Sequence, residues 1–405
     1  MRLCSKSAWS PRLHTRMDYN CLTMSHPALP DPIFISRTPA LQRLADNLLQ
    51  EAIIAVDTES NSLYAYREQV CLIQFSTTRQ DFLVDPLGLD DLSPLAPVFS
   101  HPRIQKVFHA AEYDLICLRR DFKFDFANLF DTMLAARILG QDAIGLGNLL
   151  EKEFGVVVDK RYQRANWGQR PLPPHLLSYA QLDTHYLIPL RHRMYADLKS
   201  RGLDSLAAED FNRLINLDGR MPENKPDDCW RISGAGELHP QKASVLRELC
   251  RYRDQAAQAL NRPLFKVIGD KTLLEIAARC PKTLSDLSTI PGMTSGQVFR
   301  HGKGILAAVE RGLQAEPIYP PRNRRPSEDY LERLEALRNW RKTTARKLGV
   351  NSDVVLPREL LYAIAESNPL REQELLNLLS EVPWRYQHFG SQILDALRQS
   401  NLHPV

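Results

Sequence analysis

The feature that most restricts the fold of this 405-residue chain is an internal repeat without a gap. Leu246 matches Leu334, 88 positions further along the chain, and the apolar matches have the three-to-four-residue spacing of amphipathic helices. A unit of this length fits a small helical bundle. We therefore expect two tandem all-α domains, the second diverging from the first after about Pro369. At the same spacing, the other matches are Leu249 with Leu337, Tyr252 with Trp340, Arg253 with Arg341, Ala257 with Ala345, Leu260 with Leu348, Val267 with Val355, Leu273 with Leu361, Ile276 with Ile364, Ala277 with Ala365 and Pro281 with Pro369.

The segment from about residue 32 to residue 215 has a different pattern, in which short apolar runs rich in β-branched residues precede helical ones. This order of strands and helices predicts an α/β domain. Pro189 lies inside the last helical run and should kink or divide it, and Asp131 should cap the helix that follows it. The predicted strands are 52–59, 70–77, 81–85 and 104–108, and the predicted helices are 113–120, 132–139, 146–154 and 174–199.

Clusters of glycine and proline separate these regions. One cluster predicts a linker over 216–238, and a second lies at 316–326. We therefore expect an α/β domain over 28–215 and helical domains over 239–318 and 324–403. Residues 1–27 lack the apolar core of a secretory signal and are expected to be a disordered extension, for which an over-long start site is a simple explanation.

Composition excludes some classes of protein and leaves others open. No apolar run approaches the roughly 20 residues that span a bilayer, so we expect no membrane span. The 52 basic and 48 acidic residues nearly balance, and any binding of a polyanion must depend on local basic patches. The seven cysteines are odd in number and form no Cys-x-x-Cys pair, which favours reduced thiols and a cytoplasmic protein. No ATP-binding loop motif is present, so an ATP-driven motor is not expected.

The strand ending in Asp57 and Glu59 carries the strongest chemical signal. The two-residue period of a strand directs both carboxylates to one face. A single Asp-x-Glu on a strand is most often a solubility feature, but further acids are available. Asp114 opens a helix after an apolar strand, and Tyr179 and Asp183 lie one turn apart on another helix.

Four carboxylates brought within a few Å of one another need cations. Each close pair would repel by about 4 kcal/mol at an effective dielectric of about 20. Oxygen-only ligands favour Mg²⁺ or Mn²⁺ over Zn²⁺. Two such ions roughly 4 Å apart can activate water on one side of a phosphodiester and stabilise the leaving oxygen on the other.

These motifs resemble the DEDD exonuclease superfamily in its tyrosine subtype, and within it the ribonuclease D family. The resemblance rests on 57–59, 109–114 and 179–183, and it extends to 70–74, 131–132 and 167–172. It implies a ribonuclease H-like domain with a mixed central sheet flanked by helices. The helical repeats resemble the HRDC domain, which is shared by helicases and ribonuclease D and presents basic and aromatic side chains to nucleic acid.

The resemblance also implies roles for individual residues. Asp57 would bridge two divalent ions, Glu59 and Asp183 would hold the nucleophile-side ion, Asp114 would hold the second, and Tyr179 would orient the attacking water. The implied reaction is the hydrolytic release of 5′-mononucleotides from the 3′ end of RNA, with transfer RNA precursors as the expected substrate and a monomer as the expected state.

Six further residues are predicted to contact nucleic acid. A simpler alternative exists for them: a hydrogen-bonded core glutamine, a histidine satisfied locally, or an ordinary solvated loop. Two other functions also stay open, a 3′-to-5′ DNA exonuclease and a non-catalytic RNA-binding adaptor on a nuclease fold. The six predicted contacts are Gln74, His109, Arg164, Trp167, Arg253 and Arg341.

Overall fold

The structure is a computed structural model that describes residues 29–216, 229–321 and 326–401. The predicted disordered extension, 1–27, and most of the predicted linker, 217–228, lie outside the described residues. Within those three ranges, none of the helices combines the length and the apolar character that a membrane crossing needs.

A six-stranded mixed sheet forms the centre of the N-terminal domain, with strand order β1-β4-β3-β2-β5-β6. The β2–β3 and β3–β4 pairs are antiparallel, and the other three pairs are parallel. The predicted mixed α/β fold is therefore confirmed. The pattern missed β1 and β6, since three-residue strands are too short to show a period. The strands are β1 Ile33–Ile35, β2 Ile53–Ser60, β3 Val70–Ser76, β4 Asp81–Val84, β5 Gln105–Phe108 and β6 Leu129–Asp131.

Eight helices surround the sheet. The predicted helix 174–199 is divided at Tyr186, so Pro189 falls in the first turn of α7, where its missing N–H leaves no helical hydrogen bond unmade. Asp131 caps α4 as predicted, and α1, α2 and α8 were not predicted. The helices are α1 Thr38–Leu48, α2 Ala96–Ser100, α3 Glu112–Phe122, α4 Thr132–Ile138, α5 Leu146–Phe154, α6 Pro174–His185, α7 Leu187–Ser200 and α8 Asp204–Asn216.

The internal repeat is confirmed in the backbone. Each helix of the second bundle begins 88 positions after its counterpart in the first, including the last pair, which follows the predicted divergence at Pro369. The divergence therefore affects side chains more than topology. The first bundle comprises α9 Pro240–Leu260, α10 Leu264–Val267, α11 Asp270–Arg279, α12 Leu284–Ser288 and α13 Ser295–Gln314, and the second comprises α14 Glu328–Leu348, α15 Ser352–Val355, α16 Arg358–Ser367, α17 Glu372–Leu378 and α18 Pro383–Asn401.

Each bundle has its own apolar core. Cys229, Ile232 and Ala235, which lie in the predicted linker, pack in the core of the first bundle. In the described part of the chain, the cysteines at positions 71, 117, 229, 250 and 280 form no disulfide bond.

Both bundles contact the α/β domain. Tyr66, in the loop that follows β2, donates its hydroxyl to Asp254 (2.7 Å) and its backbone N–H to the Asn261 side chain (3.1 Å). On the second bundle, the fully buried Arg385 donates to Glu209 of α8 at 2.6 Å. The first of these contacts fixes the first bundle beside the loop that leaves the acid-bearing strand.

Candidate active site

The strand β2 brings two acids to the edge of the core. Ile54, Ala55 and Val56 are fully buried, and the strand then emerges at Asp57 and Glu59. In the antiparallel pair with β3, Asp57 lies opposite Gln74 and Glu59 lies opposite Leu72. Because alternate residues of a strand share a face, both carboxylates project from the same side of the sheet.

Helix α6 covers that side and adds the third acid. One carboxylate oxygen from each of Asp57, Glu59 and Asp183 lies within 4.8 Å of the others, a separation that a shared cation could bridge. Two acids from a central strand and one from a helix, 124 positions after Glu59, thus meet at one point. No ligand other than carboxylate contributes to this group, and such a donor set fits a hard divalent ion.

Asp114 joins the cluster from α3. It is buried in the first turn of that helix, and its carboxylate accepts a hydrogen bond from the Thr58 hydroxyl. The turn before α3 is held by Asp131, which accepts from the backbone N–H of Ala111 at 2.7 Å while it caps α4. One side chain thereby ties the ends of β5 and β6 to the helix that carries Asp114.

The pKa values of the four acids show that the protein does not neutralise their negative charges. Burial, with repulsion from Asp114, raises the pKa of Asp183 to about 8. Burial likewise raises the pKa of Asp114 to about 7, against the lowering effect of the Thr58 hydrogen bond. Burial and the neighbouring acids raise the pKa of Asp57 and that of Glu59 well above their usual range. Such a group can be fully ionised at neutral pH only if cations bind to it.

Tyr179 completes the group of five predicted residues. Its side chain is buried, and burial followed by the negative potential of Asp183 raises the pKa of its hydroxyl, so the hydroxyl stays protonated at neutral pH. It makes a hydrogen bond with the Asp183 carboxylate. Trp167 and Tyr162 pack around the ring, with centroid distances of 6.1 and 5.7 Å. The ring is therefore held in place while the hydroxyl remains a donor at the acids.

Two predicted nucleic-acid contacts in the α/β domain are wrong because the side chains are buried. Trp167 is 1% exposed, and its ring packs in the core beside Tyr179, where no base can stack on it. Gln74 is 0% exposed on β3. His109 is half-buried and bonded to the Thr132 hydroxyl at 2.9 Å, and burial lowers its pKa to about 4. Arg164 is exposed and remains a predicted contact.

The two predicted contacts in the bundles, Arg253 and Arg341, have a structural role. Arg253 is buried and donates to the carbonyl of Ile268 at 3.1 Å, and Arg341 makes the equivalent bond to Leu356 at 2.9 Å. Each arginine therefore connects the first helix of its bundle to the end of the short second helix. Their recurrence in the repeat reflects this shared bond, and their contact with nucleic acid stays a prediction.

Sequence reasoning did not identify the function of Thr58. The alternation of the strand directs Thr58 away from the Asp57 and Glu59 side chains, yet its hydroxyl meets Asp114. A hydroxyl residue between two strand acids is a weak local signal. Its partner is 56 positions away, and only the packing of α3 against the sheet identifies it.

Comparison with known proteins defines the class first. Residues 32–199 match the family described as 3′-5′ exonuclease, and residues 242–309 and 331–397 each match the HRDC domain. The fold and the acid cluster are thus those of a 3′-to-5′ exonuclease with two HRDC domains behind it.

Curated relatives narrow this class to one family. The ribonuclease D of Pseudomonas paraeruginosa is 30% identical over 86% of this chain and 92% of its own length, and that of Acidiphilium cryptum is 28% identical over 92% and 94%. The chain belongs to the ribonuclease D family and is a 3′-to-5′ exoribonuclease. The interpretations as a DNA exonuclease or as a non-catalytic adaptor find no support among these relatives.

Solved structures agree with this family assignment. The catalytic core of RRP6 from Trypanosoma brucei is 30% identical, with a TM-score of 0.62 over 71% of this chain and 83% of that one. Escherichia coli RNase D, described as an exoribonuclease involved in structured RNA processing, superposes with a TM-score of 0.69 over 91% of this chain and 99% of its own at 24% identity. The latter likeness extends the agreement in fold to the helical bundles.

Proposed function

We propose that this exoribonuclease removes 3′-terminal nucleotides by a two-metal-ion mechanism with Mg²⁺ or Mn²⁺. Asp57 would be the ligand shared by the two ions, Glu59 and Asp183 would hold the ion on the nucleophile side, and Asp114 would hold the other. The observation that carries the proposal is the meeting of Asp57, Glu59 and Asp183 within 4.8 Å at a site where burial and mutual repulsion raise the pKa of each acid.

The divalent ions would supply a water ionised near neutral pH and a charge that stabilises the leaving oxygen. The protein's residues supply position. Tyr179 keeps its proton and donates from a fixed ring, which suits a group that orients a water beside Asp183. Thr58 restrains the Asp114 carboxylate by a hydrogen bond. Both residues reduce the freedom of groups that must be aligned for in-line attack.

We propose RNA with a free 3′ end as the substrate, and transfer RNA precursors as its natural form. The ribonuclease D relatives and the E. coli protein described as processing structured RNA support this choice. Arg164 lies exposed on the segment that precedes α6, and its carbonyl accepts a bond from Tyr64 at 2.7 Å. A cation on a segment held in this way suits a contact with phosphate.

We further propose a monomeric, cytoplasmic enzyme with a catalytic domain over 28–215, a linker over 216–238 and HRDC domains over 239–318 and 324–403. The described cysteines form no disulfide bond, which favours a reducing compartment. The separate apolar cores of the two bundles support their division into two domains, and the first core extends into the predicted linker as far as Cys229.

A nuclease assay tests the proposed site. Single-stranded RNA labelled at its 3′ end is incubated with Mg²⁺ and the wild-type enzyme, Asp57→Asn or Asp46→Asn, the last being an exposed acid of α1 that serves as control. We expect mononucleotide release by the wild type and by Asp46→Asn, and none by Asp57→Asn. Equal activity of Asp57→Asn would refute the site, and a DNA oligomer of the same sequence measures the preference for RNA.

A further inference from the structure

One buried polar side chain beside the acids has no role in the fold. Gln74 lies in the middle of β3 and is 0% exposed. Neither the nitrogen nor the oxygen of its carboxamide has a hydrogen-bond partner among the residues that the structure describes. Buried amides are nearly always paired because leaving one unpaired is unfavourable. An apolar residue of the same size would suit the fold better, so the amide indicates a function.

The register of the sheet shows what this amide faces. Leu72, Gln74 and Ser76 alternate along β3 and therefore project from one face. Leu72 packs in a cluster with Tyr179 and Ala180 of α6, and the Ser76 hydroxyl meets that of Thr184 at 2.7 Å. The Gln74 side chain consequently lies between these contacts, under the part of α6 that carries Asp183.

The strand pairing adds a second neighbour. Gln74 is the antiparallel partner of Asp57, and directly opposed residues have Cβ atoms about 4.5–5.5 Å apart on the same face. The carboxamide is thus beside the acid proposed to bridge both cations. The two side chains make no direct hydrogen bond in the structure, so a contact between them requires an intervening water.

We propose that Gln74 is a positioning residue for the cation site, which it serves by holding a buried water against the Asp57 carboxylate. The inference rests on the proposed function of Asp57. The amide N–H₂ donates to the water, and the water donates to the carboxylate oxygen that faces away from the cations. The carboxylate is then fixed in the orientation that ligation requires, as partners of metal ligands commonly do.

The chain offers a matched comparison on the neighbouring helix. Gln181 of α6 is also buried, but its amide donates to Asp81 at 2.7 Å. Removal of that amide leaves Asp81 with one donor fewer, whereas removal of the Gln74 amide leaves no protein group unpaired. The two substitutions Gln74→Met and Gln181→Met therefore have opposite expected effects.

The test measures folding and cation binding separately on the full-length protein. Thermal unfolding in EDTA should give Gln74→Met a melting temperature equal to or above that of the wild type, and Gln181→Met a lower one. Titration calorimetry with Mn²⁺ alone should show binding weakened about tenfold in Gln74→Met, the lower end of the range for lost partners of metal ligands, and unchanged in Gln181→Met.

Wild-type Mn²⁺ affinity in a folded Gln74→Met would overturn the inference. If Gln74→Met does not fold in EDTA, Gln74→Leu takes its place, and failure of both to fold would overturn it as well, since the glutamine would then be a structural residue. Asp57→Asn separates the two proposals. If it binds Mn²⁺ like the wild type, the proposed cation site is wrong; if it loses binding while Gln74→Met does not, only the role of Gln74 is wrong.

Discussion

The acid cluster makes the metal-free protein less stable as the pH rises, and this dependence can be measured. Burial raises the pKa of Asp183 to about 8, whereas in the unfolded chain its pKa is near the ordinary value of about 3.9. Between these two values the folded state binds a proton that the unfolded state does not. The contribution of Asp183 to the free energy of unfolding is therefore largest at low pH, and it falls as the pH rises toward 8.

The best interval for the measurement is pH 6.5 to 7.5. Burial lowers the pKa of His109 to about 4 and that of Lys106 to about 8, so the unfolded chain binds more protons at these two groups. Together they should raise the free energy of unfolding by only about 0.5 kcal/mol over this interval. Asp183 alone should reduce the free energy of unfolding by about 1 to 2 kcal/mol over this one pH unit. Asp114, with a pKa of about 7, should add a smaller decrease.

Urea denaturation in EDTA at the two pH values is the assay, with Asp183→Asn as the matched variant. The wild type should be less stable at pH 7.5, and Asp183→Asn, which cannot ionise, should lose most of this dependence. Saturating Mg²⁺ should stabilise the wild type more at pH 7.5 than at pH 6.5, because cations displace protons from the acids. A metal-free wild type that is as stable at pH 7.5 as at pH 6.5 would refute the reasoning.

Three further substitutions test other parts of the structure. Tyr179→Phe removes the hydroxyl at Asp183 but keeps the packed ring, and it should lower kcat by about 100-fold with little change in the melting temperature. A rise in KM with an unchanged kcat would contradict the orienting role. Thr58→Val removes the donor to Asp114 and should weaken Mn²⁺ binding about tenfold in calorimetry, whereas Thr58→Ser should restore it. Arg385→Met leaves the buried Glu209 carboxylate without its positively charged partner and should destabilise the protein by about 3–5 kcal/mol in urea denaturation. The exposed control Arg398→Met should cost less than about 1 kcal/mol.

Much of the fold could be predicted because its signals are periodic and local. The repeat at 88 positions is a property of the sequence itself, and the helices of the two bundles begin in the predicted register. The strands β2 to β5 have enough β-branched and apolar residues to show a pattern, whereas β1 and β6 have three residues each and depend on neighbouring strands for their hydrogen bonds.

The acids of the site could be predicted for a different reason. Asp57 and Glu59 stand out because they end an apolar strand, and Tyr179 and Asp183 because they share a helix face. Each signal is local, and the prediction that these residues form one site came from the resemblance to a family. Their meeting within one site depends on α6 packing across the sheet.

Only the tertiary structure determined which of these side chains are buried. Trp167 and Arg253 have the side chains of nucleic-acid contacts, but the first packs against Tyr179 and the second bonds a backbone carbonyl inside its bundle. That the Gln74 amide has no hydrogen-bond partner among the described residues could be identified only from the residues packed around it. The sequence by itself determined the periods of the elements and the chemistry that is available, because these depend on neighbours along the chain. Solvent exposure and hydrogen-bond partners depend on residues far apart in the chain, and only the packed structure brings those together.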